Sequence, residues 1–329
     1  MSRILLVLDG APEPLRDGAA GPTTLEAAST PALDALCAAG AVRRLETTPA
    51  GLDPGSETGI PALLGAPPRA PVARGPIEAA AAGIALAPGH RAWRLDVRRP
   101  DGTRTPDAEA RLLVPLVAAR LPAHAVAHLR GHRLLATGPR RPALRGVAGL
   151  DIDVWPDGAA LAPVLDARTT VVCGPGAAAG VARLLGARVT VPAGATGDID
   201  TDLAAKADAA VRALAAGARD VVVHVGALDE AAHRGEIGAK RAALERVDAH
   251  LIAPLAAAAR RHAALLAVTA DHGTCPRTGR HDGAPVPLVL HGPGVASSGP
   301  GRLTERAVAG TAVAASPWAD VPQALEAAA

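Results

Sequence analysis

Short, continuously apolar runs alternate with helical patterns in the first and last parts of the chain, and this alternation restricts the fold most. Strands that are apolar on both faces belong in a sheet that helices cover on both sides. The predicted strands are Arg3–Leu8, Thr169–Cys173, Arg188–Val191, Asp220–Val225, Ala264–Thr269 and Val286–Leu290. Strand followed by helix, repeated along the chain, predicts an α/β fold with a doubly wound, mostly parallel sheet.

Helical patterns fill the intervals between these strands. Thr23 and Glu26 have the spacing of a capping box, and Thr30 before Pro31 marks a second helix start. The predicted helices are Thr24–Ala38, Ala177–Leu185, Asp202–Ala216 and Ala239–Arg260.

The middle of the chain has a different character, because it is rich in Pro, Gly and Arg. It holds strand-like pieces at His90–Arg98 and Val126–Thr137 and a helical pattern at Asp107–Arg120. We interpret residues 67–166 as a small inserted α+β cap domain. Residues 1–66 and 167–329 then form the core.

Composition excludes several classes of partner. The chain has 34 basic and 32 acidic residues, for a net charge of +2, and contains three Trp but no Phe or Tyr. This balance argues against broad attachment to nucleic acid or to an anionic membrane, and the lack of aromatics argues against base stacking. The three cysteines form no C-x-x-C pair, and the apolar runs are too short for a signal peptide or a membrane span. We therefore predict a cytoplasmic protein.

Acidic and histidine side chains follow three of the predicted strands. Asp9 follows the first strand, Asp229 lies just after the fourth, and Asp271 and His272 follow the fifth. Each alone is a common turn or cap residue. Together they predict a metal site, since the carboxyl ends of parallel strands meet at one edge of a sheet.

Two more histidines extend this group. Asp229 and His233 are spaced i, i+4, which puts both on one face if the turn is helical; a surface Asp–His pair is the alternative. His281 lies ten residues after Asp271, in a Gly-rich loop. Mixed carboxylate and imidazole ligands suit Mn²⁺, Zn²⁺ or Mg²⁺.

The stretch GLDPGSETG, at residues 51–59, predicts a turn at Pro54 and Gly55 with Ser56 as the cap of a helix over Glu57–Leu64. Ser56 could be only a cap. The amino end of a helix also binds phosphate, and a hydroxyl close to a divalent ion is a stronger nucleophile.

No nucleotide cofactor is predicted. The glycine-rich run 174–180 follows a strand, but its glycine spacing is one residue too long for a dinucleotide fingerprint and Pro175 sits inside the turn.

In combination, these stretches resemble the archaeal-type cofactor-independent phosphoglycerate mutases of the alkaline phosphatase superfamily. The matching segments occur in the family's order and span both ends of the chain. They are Leu6–Gly10, Thr23–Gly40, Gly51–Gly65, Val191–Lys206, His224–Asp248 and Val268–Pro287.

The resemblance implies an alkaline-phosphatase-like fold and a role for each matching residue. Ser56 would accept the phosphoryl group, with Lys240 close to that group, and Arg94, with Arg91 as a weaker candidate, would bind the substrate. The implied metal ligands are Asp9, Ser56, Asp271 and His272 for one ion and Asp229, His233 and His281 for the other. Two divalent ions are therefore expected, Mn²⁺ by preference, with Mg²⁺, Zn²⁺ or Co²⁺ as alternatives.

The chain also differs from the family pattern. Glu57 stands where the family has Asp, the acidic residue after the first Asp-Gly is replaced by the run Ala11–Pro14, and a substrate-positioning stretch is largely missing between Gly138 and Asp166. The expected function is 2,3-bisphosphoglycerate-independent mutase activity through a phosphoserine, on phosphoglycerate or a similar small phosphorylated or phosphonylated acid. A phosphatase or phosphodiesterase using the same centre is the alternative, and a metal-binding module without catalysis is a third.

Overall fold

The computed structural model describes residues 1–15 and 21–319. In chain order the strands are β1 (Arg3–Leu8), β2 (Ala41–Leu45), β3 (Arg91–Arg98), β4 (Ala125–His128), β5 (Arg133–Gly138), β6 (Gly146–Val147), β7 (Leu150–Val154), β8 (Thr169–Val172), β9 (Arg188–Thr190), β10 (Asp220–Val225), β11 (Leu265–Thr269), β12 (Gly273–Cys275), β13 (Arg280–Asp282), β14 (Val286–His291) and β15 (Val313–Ala314).

The helices are α1 (Thr24–Ala27), α2 (Pro31–Ala39), α3 (Ser56–Leu63), α4 (Arg74–Ala81), α5 (Asp107–Leu112), α6 (Val114–Arg120), α7 (Ala177–Leu184), α8 (Leu203–Ala215), α9 (Ala227–His233), α10 (Ile237–Val247), α11 (Ala253–Arg261) and α12 (Glu305–Val308). A π-helical segment, Asp248–Ile252, joins α10 to α11.

The chain forms two compact units. One comprises Met1–Arg69 with Pro163–Ala329, and the other comprises Ala70–Ala162. The boundaries expected from the sequence, 66/67 and 166/167, lie within four residues of those in the structure. Residues 320–329 of the expected core lie outside the described part of the chain.

The first unit is built on a sheet with the order β15-β2-β14-β11-β1-β10-β8-β9 among the described strands. Strands β11, β1, β10, β8 and β9 are parallel to one another, whereas β14 runs antiparallel to both β11 and β2. The prediction of a doubly wound, mostly parallel α/β sheet is confirmed. The six predicted strands agree with the observed ones to within one residue at each end, but the edge strand β15 and its neighbour β2 were not predicted.

The core of this unit consists of aliphatic strand residues packed on alanine-rich helices. Ile4, Leu6 and Val223 on the sheet have no exposed surface, and Ala210 and Ala258 on the covering helices are equally buried. Small side chains let the helix backbones approach the sheet closely, which fills the core without aromatic rings.

Three predicted helices are interrupted in the structure, and one of them, over Asp107–Arg120, divides into α5 and α6 at Leu113. The helix expected over Thr24–Ala38 divides into α1 and α2 at Thr30, where Pro31 begins a new helix, and the capping box of Thr23 and Glu26 is present on α1. The helix expected over Ala239–Arg260 is interrupted at Asp248. The carboxylate of Asp248 accepts hydrogen bonds from the amides of Ala32 and Leu33, and so satisfies the free amino end of α2.

The second unit contains an antiparallel sheet with the order β4-β5-β3-β7-β6. Helix α4 lies directly on β3 because Gly75 has no side chain; a Cβ there would come within 1.9 Å of the Ala92 carbonyl oxygen. A second apolar cluster joins the sheet to α6 through Leu95, Val117 and Leu134.

Within the described residues, every helix falls short of the length and apolarity needed to cross a bilayer. The three cysteines, Cys37, Cys173 and Cys275, are buried and form no disulfide bond.

Candidate metal centre

Three side chains at the carboxyl ends of β1 and β11 form a buried cluster. His272 Nε2 lies 3.2 Å from Asp9 Oδ1 and 3.7 Å from Asp271 Oδ2. Asp271 and His272 have no exposed surface. These three facing atoms make no hydrogen bond with any described residue. Buried polar atoms normally have partners, so the cluster has the features of a cation site.

A second cluster lies closer to solvent and combines Asp229 and His233 of α9 with His281 of β13. The Nε2 atoms of the two histidines are 3.0 Å apart. Asp229 Oδ2 lies 3.2 Å from His233 Nε2, and its other oxygen lies 3.6 Å from His281 Nε2. The predicted i, i+4 pair of Asp229 and His233 thus lies on one turn of helix, as expected.

Contacts on the far side of each ring set which nitrogen faces the cluster. His272 Nδ1 lies 3.1 Å from the Gly273 carbonyl oxygen, and His281 Nδ1 lies 3.0 Å from the Pro54 carbonyl oxygen. Since a carbonyl can only accept, each Nδ1 donates. This leaves a lone pair on Nε2, the arrangement that metal-binding histidines use.

The metal-free clusters hold protons that a cation would displace. Burial and the charge of Asp9 raise the pKa of Asp271 to about 7. Burial would lower the pKa of His272, but the negative charges of Asp271 and Asp9 outweigh it and raise that pKa to about 10. Burial opposes ionisation of Asp9 too, but the imidazoles of His224 and His272 beside it hold its pKa well below the ordinary value.

The residues present fit two divalent ions. In each cluster the ligand atoms all lie within 4.8 Å of one another. Thr274 Oγ1 links the clusters, since it donates to Asp229 Oδ1 at 2.6 Å and lies 3.3 Å from His272 Nδ1. Carboxylate and imidazole donors without thiolate suit Mn²⁺, Zn²⁺ or Mg²⁺.

In the sequence, Ser56 lies between two residues that contact the clusters, one just before α3 and one within it. Two residues before it, the Pro54 carbonyl accepts from His281. Three residues after it, Gly59 packs so closely on Asp271 that a Cβ would lie 2.2 Å from the Asp271 carbonyl oxygen. The prediction of Ser56 as a helix cap is wrong: Gly55 occupies the cap position and Ser56 is the first helical residue. The tight turn at Gly55 starts the helix one residue earlier than the sequence indicates.

Gly10 is required by the geometry of the centre. Its φ of +62° is unfavourable for a side chain, and a Cβ would lie 2.6 Å from both Asp229 Oδ1 and Thr274 Oγ1. We expect Gly10→Ala to displace Asp229 and weaken binding of one divalent ion by about 10- to 100-fold, a loss typical of disturbed ligand support. Isothermal titration of metal-free protein with Mn²⁺ measures this.

Gly131→Ala is the matched control. Gly131 has a similar φ of +58°, but a Cβ there meets nothing within 4 Å. This variant carries the same backbone strain, on the order of 1 kcal/mol, and should bind Mn²⁺ like the wild type. Equal affinities for both variants and wild type would contradict the steric argument.

Lys240 is completely buried, and its contacts lie beside the centre. Its Nζ donates to the Thr274 carbonyl at 2.9 Å and lies 3.5 Å from Glu13 Oε1. The role near a phosphoryl group that the resemblance implies stays a prediction.

Sequence reasoning missed two buried residues near Asp9. His224 Nε2 lies 3.3 Å from Asp9 Oδ2, and Lys206 Nζ donates to the His224 carbonyl at 2.9 Å. A histidine within the apolar run of β10 was the available signal for the first. The second sits among alanines on α8, where nothing distinguishes it.

The predicted substrate-binding arginines lie in the second unit. Arg94 is buried, and its guanidinium donates to both carboxylate oxygens of Asp96, at 2.7 and 2.9 Å, under the ring of Trp155. Arg91 is exposed and lies 3.4 Å from Asp157. Their binding of substrate stays a prediction.

We expect Arg94→Met to destabilise the second unit by about 3–5 kcal/mol at neutral pH, because it leaves the Asp96 carboxylate buried without its main cation. His132 and Arg94 overcome the effect of burial and lower the pKa of Asp96. A lowered pKa stabilises the fold above about pH 4 and stops doing so as the pH falls through the folded-state value. The difference in the free energy of unfolding between variant and wild type should therefore become smaller at acidic pH. Urea unfolding at pH 7 and at pH 2.5 measures it.

Arg91→Met is the control, with an expected change below about 1 kcal/mol because its ion pair is exposed. If Arg94→Met leaves stability unchanged, the buried pair does not support this unit.

The fold and the site together define a class of protein. A doubly wound sheet brings two groups of carboxylate and imidazole side chains together at the ends of its strands, and this donor chemistry suits divalent ions. The model of the Metalloenzyme superfamily matches residues 1–315, and the chain belongs to this superfamily and binds divalent metal.

Within the superfamily, the chain is similar to archaeal phosphoglycerate mutases, which confirms the resemblance drawn from the sequence. The 2,3-bisphosphoglycerate-independent phosphoglycerate mutase 1 of Archaeoglobus fulgidus is 29% identical over 88% of each chain. Among solved structures, the PH0037 protein from Pyrococcus horikoshii aligns with a TM-score of 0.78 at 24% identity, covering 93% of this chain and 91% of that one. The cofactor-independent phosphoglycerate mutase from Thermoplasma acidophilum aligns with a TM-score of 0.60 at 20% identity over 95% and 96%. These structural matches concern the fold.

Proposed function

We propose that this protein is a 2,3-bisphosphoglycerate-independent phosphoglycerate mutase, or acts on a closely similar phosphorylated acid, through a phosphoserine at Ser56. The observation that carries the proposal is the position of Ser56 at the start of α3, between Pro54, whose carbonyl contacts His281, and Gly59, which packs on Asp271. The named archaeal relatives supply the substrate class.

Asp9, Asp271 and His272 would hold one ion, with Ser56 as a further ligand, and Asp229, His233 and His281 would hold the other. We propose Mn²⁺ as the native ion. Two ions bound there would stabilise the charge of the phosphoryl oxygens and favour the alkoxide of Ser56.

In the first half of the reaction, Ser56 Oγ loses its proton and forms a bond to phosphorus. The bond between phosphorus and the 3-oxygen of the substrate breaks, and that oxygen takes up a proton, which leaves glycerate and phosphoserine. The amino end of α3 supports the phosphoryl group through its partial positive charge.

In the second half, the 2-hydroxyl of the retained glycerate loses its proton and attacks phosphorus, and Ser56 Oγ is released and reprotonated. If glycerate escapes and water attacks instead, the same centre is a phosphatase. Retention of glycerate therefore decides the outcome, and we propose Arg94 and Arg91 as the substrate-binding residues.

The test follows 3-phosphoglycerate by ³¹P NMR with Mn²⁺-loaded protein and no bisphosphoglycerate. Appearance of 2-phosphoglycerate is the expected result. Inorganic phosphate alone would replace the mutase by the phosphatase, and phosphoryl transfer only from another phosphate ester or a phosphonate would assign a different substrate. EDTA-treated protein should be inactive and recover with Mn²⁺.

A further inference from the structure

Two lysines lie completely buried behind the metal centre, and each donates to a main-chain carbonyl beside a different cluster. Lys206 on α8 donates to the His224 carbonyl, and Lys240 on α10 donates to the Thr274 carbonyl, both at 2.9 Å. Burying an ammonium group is energetically costly, so two buried lysines beside one site indicate that they have a role there.

The first lysine leads to the buried cluster. The His224 side chain lies 3.3 Å from Asp9 Oδ2, while Asp9 Oδ1 faces His272. The two oxygens of Asp9 therefore face opposite partners. Oδ1 faces the cation position. Oδ2 faces the imidazole of His224, a residue whose main-chain carbonyl is held by the hydrogen bond from Lys206. His224 Nε2 makes no hydrogen bond with any described residue, and Asp9 Oδ2, at 3.3 Å, is the acidic atom it faces.

The second lysine leads to the outer cluster in the same way. Thr274 Oγ1 donates to Asp229 Oδ1 at 2.6 Å, and the Thr274 carbonyl accepts from Lys240. The Thr274 amide donates to Pro12 O at 2.8 Å, which fixes the residue on both sides.

We propose that Lys206 with His224, and Lys240 with Thr274, are two pairs of positioning residues, each of which orients the carboxylate ligand of one metal subsite. Asp9 is oriented by the first pair and Asp229 by the second. Groups that fix ligating carboxylates typically change metal affinity 10- to 100-fold. The inference rests on the metal centre of the proposed function, but not on its substrate.

Metal-free protein is titrated with Mn²⁺ by calorimetry, and the number of bound ions is counted by EPR. Lys206→Met and His224→Leu should weaken one binding event by about 10- to 100-fold, and Lys240→Met and Thr274→Val should weaken the other. Thr274→Ser and His224→Gln, which keep a donor, should restore most of the affinity.

Two further comparisons assign each pair to its subsite. In an Asp271→Asn background, where binding at the buried subsite is weakened, Lys240→Met should still weaken the other binding event and Lys206→Met should leave that event unchanged. A double variant within one pair should bind Mn²⁺ no more weakly than the single variant with the larger effect. When the two substitutions come from different pairs, each should weaken its own binding event.

Lower melting temperatures with unchanged Mn²⁺ affinities would overturn the proposal, because the lysines would then only support the fold. Weakening of both events by every variant would overturn the assignment of pairs to subsites. A wild type that binds two ions but does not convert phosphoglycerate would contradict only the proposed function.

Discussion

Replacing Ser56 with alanine is expected to abolish phosphoryl transfer with every substrate, by a factor on the order of 10⁴ or more, because the group that forms the bond to phosphorus is gone. Rapid quenching of wild type with substrate, followed by mass spectrometry of the peptide over residues 51–65, should find phosphate on Ser56. The variant should carry none. Its fold should be unchanged, since Ser56 is half-buried and α3 is attached through Pro54 and Gly59.

Ser29→Ala is the matched control, since Ser29 is an exposed serine of the same unit. The Ser29→Ala variant should transfer phosphoryl groups at the rate of the wild type. Mn²⁺ binding separates the two roles expected of Ser56, because loss of a nucleophile alone leaves affinity unchanged and loss of a ligand lowers it. Full turnover by Ser56→Ala would eliminate the phosphoserine mechanism for mutase and phosphatase alike.

The strands of the central sheet were predictable because burial on both faces requires continuous apolar runs. The same rule explains why β2 was missed: its sequence, AVRRL, contains Arg43 and Arg44, which stay half-buried towards the sheet edge. The antiparallel placement of β14 between β11 and β2 depends on how the chain returns after His281, and no local pattern records that path.

The ligand clusters illustrate the same limit. Asp9, Asp229 and Asp271 follow strands of one sheet, and the topology brings them to the same edge, so their proximity could be expected from the sequence. Their roles as ligands stay predictions. Lys206 and Thr274 gave no comparable signal, because their contacts arise from α8 packing on β10 and from the β12–β13 hairpin.

Asp271→Asn is expected to change metal binding and stability in opposite directions. Removal of a charged ligand should weaken binding at the buried subsite by about 100-fold or more and lower turnover by about 10³-fold, or roughly 4 kcal/mol in the barrier. The metal-free variant should nevertheless be more stable than the metal-free wild type at pH 8, by an amount on the order of 4 kcal/mol.

The sign of the stability change follows from the raised pKa. Burial and Asp9 raise the pKa of Asp271 to about 7, above the value of about 4 in the unfolded chain. Protonation of Asp271 therefore stabilises the metal-free fold below pH 4, and this contribution is lost as the pH rises through 7. Asparagine is neutral throughout, so the advantage of the variant should shrink towards pH 4. Urea unfolding of EDTA-treated proteins at pH 5 and pH 8 measures the difference.

Adding Mn²⁺ should reverse the order. The wild type gains stability because an ion that binds only the folded state shifts the unfolding equilibrium, whereas the variant gains less. If the metal-free variant is no more stable than the metal-free wild type at pH 8, then burial and Asp9 do not destabilise the charged form of Asp271. The expected reversal would distinguish a carboxylate that binds a cation from one that supports the fold, because a metal-ligating Asp271 should oppose folding until the cation binds.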